Sequence, residues 1–208
     1  MKHLTTLGGV TFLLLAVLFT QPASAQRAGQ WAWDLKYSAV LGLAETAEFA
    51  GGLSWRGVTF DGERAANESL TMGFSIGWHL LDENNSAVSE FADGALSGTA
   101  YRYINAVPVL AVGTFFFGQR GNTRPFISGG GGTYWIENRT EAGIVTIEES
   151  HWHPGAMGEV GVSIPRYGGN TLTLSARYNW AAPLTDPRGQ ELRRSYLTFS
   201  IGSGTGSN

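Results

Sequence analysis

The chain has 208 residues, of which 43% are hydrophobic, 12% aromatic and only 15% charged, with 29 glycines and no cysteine. Ordinary soluble domains carry about 25% charge, so a large outer face that is not water is expected. The absence of cysteine excludes a disulfide scaffold and thiolate metal sites, and the absence of a basic patch excludes a nucleic-acid partner.

Residues 1–25 read as a secretory signal. MKHLTTLGG is short and basic, VTFLLLAVLF is an apolar run too short to cross a bilayer as a helix, and PASA ends in a small-x-small pattern. Cleavage is expected between Ala25 and Gln26, with no cysteine after it to carry a lipid anchor, leaving residues 26–208 as one domain. That domain carries 13 Lys and Arg (14 less Lys2) against 17 Asp and Glu, a formal charge of −4.

No helical stripe follows the signal; a period of two recurs instead. WAWDLKYSAVLGL (31–43) sets Trp31, Trp33, Leu35, Tyr37, Ala39, Leu41 and Leu43 against Asp34, Lys36, Ser38 and Gly42. FAGGLSWRG, within an expected strand 48–59, sets Phe49, Leu53 and Trp55 against Ala50, Gly52, Ser54 and Arg56. Segment 69–81 alternates Leu70, Met72, Phe74, Ile76, Trp78 and Leu80 with small polar residues and His79. Segment 100–117 is apolar on both faces past Asn105, and Pro108 there predicts a bulge or an edge defect. Segment 124–138 has glycines on both faces, which leaves its register open. Segments 150–164, 171–181 and 193–203 alternate cleanly again.

Eight strands of this length predict an all-β fold: an eight-stranded antiparallel up-and-down transmembrane β-barrel behind a cleaved signal peptide. With the N-terminus on the inner side, DENNSAVSEFADGALSGT, RTEAGIVTIEES and APLTDPRGQEL become outer loops, and DGERAANE, GQRGNT and PRYGGN become inner connectors. Only ETAE breaks the rule of long loops outside and short turns inside. Trp78, Trp135, Trp152 and Trp180 fall at outer strand ends, while Trp33, Trp55, Phe115 and Phe199 fall at or near inner ones, as two interfacial girdles require. A soluble sandwich or a lipocalin-like barrel shares the alternation; the shortage of charge and the two girdles favour lipid outside.

The signal, RPFISGGGGTYWIENRT, GEVGVSIPRYGGNTLTLSARYNW and the final SYLTFSIGSG resemble small bacterial outer-membrane barrels of the OmpA/OmpX type and the OmpW-like type. The resemblance is one of pattern over nearly all of the exported chain, with no catalytic motif. It implies a Gram-negative outer membrane, contact with its lipid and lipopolysaccharide, and insertion by the barrel-assembly machinery. Many such chains end on an aromatic, whereas GSGTGSN follows Ile201 here, which leaves Phe199 as an internal assembly signal.

With one face on lipid, the other face fills a narrow lumen whose polar groups must satisfy one another. The expected lumenal network is Asp34, Lys36, Arg56, His79, Arg102, His151, His153, Glu159, Arg177 and Arg194. Around PRYGGN, residues whose numbers sum to about 334 should pair, which places Glu159 diagonal to Arg177 and predicts an ion pair. ESHWHPGAMGEVGVSIP raises a metal site at His151 and His153, with His79 as a third ligand. No acidic motif completes it, so two wet histidines at the barrel mouth are expected instead, and no cofactor or metal. A lipid-modifying hydrolase needs a nucleophile beside its base, and Trp152 and Pro154 offer none. GGGG at 129–132 lacks the Lys-Ser/Thr of a phosphate loop and reads as close backbone approach. Asn67 and Asn138 begin sequons that carry no weight in a bacterial envelope protein, and ENNSAVSEFADG reads as an exposed acidic loop.

The reading at this level is a monomeric, non-enzymatic outer-membrane barrel with a structural or surface-presenting role and a lumen closed by side chains. The alternative is a conduit for small hydrophobic molecules, opening laterally near Pro108. A lipid-modifying enzyme comes third.

Overall fold

The computed structural model describes residues 29–49, 52–91, 94–142, 145–166, 169–185 and 191–205. The expected signal peptide and its cleavage site lie outside the described residues. The elements are β1 (Trp31–Leu43), α1 (Glu45–Phe49), β2 (Leu53–Ala65), β3 (Leu70–Phe91), β4 (Gly94–Phe116), β5 (Arg124–Ala142), β6 (Val145–Pro165), β7 (Asn170–Thr185) and β8 (Glu191–Thr205). Each strand pairs antiparallel with the next, and β1 closes on β8 from Trp33 opposite Thr205 to Leu43 opposite Ser195. The eight strands therefore form one closed up-and-down barrel, which leaves no sheet edge around the wall.

The alternation decides which face is which. Lys36, Thr59, Ser75, Glu159, Arg177 and Thr198 are buried inside, while Leu35, Phe60, Ile76, Ile127, Val160, Leu174 and Ile201 stand exposed on the wall. A soluble barrel would show the reverse. The exposed apolar wall matches lipid, because in a bilayer all strand hydrogen bonds must close on the barrel itself.

Several boundaries differ from the sequence reading. Residues 45–49 form a short helix, and β2 starts at Leu53 and runs on to Ala65. DGER therefore belongs to the wall, not to a connector, since Val58, Thr59, Phe60 and Asp61 continue the alternation. The β3–β4 ladder continues to Phe91 opposite Gly94, and the β5–β6 ladder to Ala142 opposite Val145. Two stretches expected as outer loops are thus largely paired strand, extending past the barrel mouth. The opposite end has short turns; at one of them Asn67 accepts from the backbone N–H groups of Ser69 and Leu70 at 2.9 and 2.8 Å.

Pro108 leaves the register intact. Ile76 faces Val109 and His79 faces Ala106, so the ladder to β3 lapses only between those pairs and resumes in phase. Proline has no N–H to donate there, and the β5 side continues with Pro108 opposite Tyr134. The glycine run resolves likewise. A Cβ on Gly130 or Gly132 would stand 2.6 Å from the Ala111 carbonyl oxygen or 2.3 Å from that of Val109, whereas one on Gly129 would meet nothing within 4 Å. Close strand approach demands glycine on one face of the run and leaves the position at Gly129 free.

Candidate functional site

The lumen divides into two layers. Towards the short-turn end, β1, β2, β6 and β7 bring together two cations and two carboxylates. Lys36 Nζ lies 2.8 Å from Asp61 and donates to Glu159 at 2.7 Å. Arg177 donates to the other Glu159 oxygen from Nε at 3.0 Å and Nη2 at 2.7 Å, to Ser75 at 2.9 Å, and approaches Asp61 at 3.3 Å. The four side chains form a ring of alternating sign with no net charge. All are buried, so each charge is held by its neighbours and not by water.

Below the ring, Glu63 accepts from the hydroxyls of Thr71 and, at 2.9 Å, Thr114. A cavity of about 60 Å³ opens here, lined among others by Asp34, Lys36, Asp61, Glu63 and Glu159. Above the ring the filling turns apolar: Val40, Leu81, Ile104, Leu110, Tyr134, Ile136 and Tyr196 are all packed to 2% exposure or less. His79 is held within this layer between the Thr59 hydroxyl at 3.0 Å and the Tyr196 hydroxyl at 2.9 Å. The Tyr134 hydroxyl donates to the Ala156 carbonyl at 3.0 Å, with the Asn179 side-chain amide 3.3 Å away.

The structure brings Lys36, Glu159 and Arg177 into direct contact and puts Asp34 on the cavity wall beside them. Glu159 stands directly opposite Arg177, because the β6–β7 pairs sum to 336 and not to about 334. Arg194 is buried near the mouth and donates to Asn138 at 3.4 Å. His153 is buried and its Nδ1 donates to the Ala182 carbonyl at 2.9 Å. His151 is exposed, two residues further out, beyond the last pair of the β6–β7 ladder at Gly155 and Ala181. It therefore leaves the expected lumenal set, and the three histidines do not converge. No group of His, Asp and Glu suited to a metal occurs among the described residues. The side chain of Arg102 lies outside the described residues.

Arg56 is the clearest correction. Ser38 faces Gly57 but Val40 faces Ser54, so Trp55 and Arg56 together oppose one residue of β1. This β-bulge turns both outward, and the Arg56 side chain is 64% exposed on the wall. Sequence reasoning also missed Asp61, Ser75 and Glu63. Asp61 completes the ring, and its signal was the alternation carried on through DGER.

On the outer face, Trp33 stacks on Trp31 at 5.3 Å and on Phe60 at 5.5 Å, with Phe74 edge-on at 6.2 Å, and this cluster covers Gly62. Trp78, Trp152 and Trp180 stand exposed towards the far end, with Trp152 opposite Trp135. Ten residues separate Asn170 from Trp180 in β7; at ~3.3 Å each and a ~40° tilt they span about 25 Å, the height of an outer-membrane apolar band. Two girdle positions change. Trp55 lies at the outer end, since β2 begins at Leu53. Phe199 sits in mid-wall opposite Ala39 and Ala176, because β8 continues to Thr205.

No protein-family profile matches the chain, and no curated protein matches its sequence. Solved structures do. A major outer membrane protein from Thermus thermophilus is 9% identical, with a TM-score of 0.54 over 85% of this chain and 99% of that one. Neisserial surface protein A is 13% identical, with a TM-score of 0.48 over 85% and 95%. Ail of Yersinia pestis is 12% identical, with a TM-score of 0.49 over 86% and 99%. At 9% identity the first of these speaks to architecture alone, and it agrees with the closed eight-stranded ladder and the exposed apolar wall: the chain has the fold of a small outer-membrane β-barrel.

Proposed function

We propose that the protein is a monomeric, non-enzymatic outer-membrane barrel that does not conduct, and that its role is structural or surface-presenting, carried by the wall and the outer hairpins. The observation that carries this reading is the buried ring of Lys36, Asp61, Glu159 and Arg177, with a packed apolar layer above it. An eight-stranded barrel is just wide enough for side chains to fill. The ring occupies one level of that width and the apolar layer the next. The partners expected from such a setting are outer-membrane lipid, lipopolysaccharide and, during insertion, the barrel-assembly machinery.

The test is a heat-dependent mobility shift of the refolded protein on an SDS gel, together with single-channel recording in planar bilayers. A shift without discrete conductance is the expected result; stable conductance steps in the wild type refute the closed lumen. One observation favours a second reading, a conduit for small hydrophobic molecules: the outer half of the lumen is lined by apolar side chains such as Val40, Leu81, Ile104 and Ile136. Faster entry of a small apolar dye into vesicles carrying the protein would favour that reading.

A further inference from the structure

The outward-turned Arg56 is a cation on a stretch of β2 whose other outward residues, Leu53, Trp55, Val58 and Phe60, are apolar. It emerges from the bulge of β2 beside Trp55, and opposite Leu80 on β3, two residues beyond Trp78. Trp55, Trp78 and Tyr37 around it are each more than half exposed. The bulge is fixed from two sides: the Tyr37 hydroxyl donates to the Trp55 carbonyl, and the Arg56 N–H donates to Ser54 Oγ at 3.4 Å. Among the described residues the guanidinium meets only Asp82, at 3.7 Å, too far for a hydrogen bond.

A cation on the lipid face is costly at mid-bilayer and nearly free at the interface. Arg56 stands at the level of the outer tryptophans, where the headgroups of the outer leaflet begin. A planar fork of donors suits a tetrahedral oxyanion, which it grips with two parallel hydrogen bonds. We propose that Arg56, framed by Trp55 and Trp78, binds the phosphate group of an outer-leaflet glycolipid, with Asp82 as the internal carboxylate that the phosphate displaces. The proposal rests on the membrane reading given above. A chain that inserts and shifts on the gel yet holds no phosphorylated glycolipid at this point fails the proposal alone.

The test uses the full folded chain in phosphatidylcholine nanodiscs containing a small fraction of bis-phosphorylated glucosamine lipid, with the dephosphorylated lipid as the comparison. Retained lipid is counted by native mass spectrometry, and affinity is read by titration. Wild type should retain the phosphorylated lipid preferentially, and Arg56→Gln should bind it about tenfold more weakly or worse, the scale of at least one lost charge-assisted hydrogen bond. Arg64→Gln, exposed at the opposite end of β2, should leave retention unchanged. Equal retention by Arg56→Gln, or equal retention of the dephosphorylated lipid, overturns the proposal. So does displacement of the lipid by millimolar inorganic phosphate, which would make the site one for free anions. Should Arg56→Gln fail to fold, Asp82→Asn decides: tighter retention supports the site, and unchanged or weaker retention overturns it.

Discussion

Replacing Arg177 by methionine removes one charge from a ring of four and keeps most of the volume. In the wild type the guanidinium donates twice to Glu159, once to Ser75 and approaches Asp61 at 3.3 Å. Without it, Lys36 alone faces two carboxylates, and the buried ring holds one net negative charge. Breaking a buried pair in this way costs about 3–5 kcal/mol, most of it the charge left uncompensated. That corresponds to a fall of roughly two to three and a half orders of magnitude in the folding equilibrium. The double variant Arg177→Met with Glu159→Met leaves Lys36 paired with Asp61 at 2.8 Å, a balanced set in an apolar frame. It should recover at least about half of the loss, a coupling of ~2 kcal/mol or more. The assay is equilibrium urea unfolding in short-chain phospholipid vesicles, followed by tryptophan fluorescence and by the gel shift. A single variant within ~1 kcal/mol of wild type would mean that water enters the ring and screens it, and that the lumen is not closed by a dry ring of charges.

Three other outcomes follow from the geometry. Gly132→Ala puts a Cβ 2.3 Å from the Val109 carbonyl oxygen and should lower the folded fraction in refolding gels sharply, while Gly129→Ala, with open space around it, should fold like wild type. Trp33→Ala removes two stacked partners and one edge-on partner and uncovers Gly62; a loss of about 2–4 kcal/mol is expected in the same vesicle titration, from the ring contacts and lost burial together. His79→Phe abolishes both hydroxyl contacts and strands Thr59 and Tyr196 in an apolar layer. It should cost about 1–3 kcal/mol, and Tyr196→Phe combined with it should cost less than the two single changes added.

Much of the fold is legible in the sequence, because a barrel wall repeats a two-residue rule and composition says which side is wet. Strand number, order and the pairing of Glu159 with Arg177 follow from alternation and one tight turn. What alternation cannot convey is a change of phase. The bulge at Trp55 and Arg56 inserts one residue into β2, and nothing in LSWRG announces it; everything upstream of Gly57 keeps its own parity, and Arg56 alone is misassigned. Asp61 was lost for a different reason. Asp and Gly together read as a turn, yet Gly62 faces outward beneath Trp33 and Phe74, where its missing side chain makes room for their rings. The paired extensions of the outer hairpins were hidden by polarity, since residues such as Asn84, Asn85 and Ser86 are poor strand formers and pair only because the ladder below them fixes the register.

Two of the ring's contacts join neighbouring strands, Lys36 with Asp61 on β1 and β2, and Glu159 with Arg177 on β6 and β7. The other two cross the lumen between partners far apart along the chain: Lys36 and Glu159 by 123 residues, Arg177 and Asp61 by 116. Each hairpin can thus bring a neutral pair of charges to the closing step, but neither hairpin can complete the ring. Until β1 reaches β8, each pair is only half satisfied and keeps its water. Desolvating either face early would be penalised, so the interior stays hydrated while the strands gather and dries when the seam shuts. The ring then acts as a latch on the order of assembly, since its cross-lumen half forms only with the last step. Such a barrel should close in one cooperative event and reopen slowly, a kinetic persistence that stability measurements at equilibrium do not register.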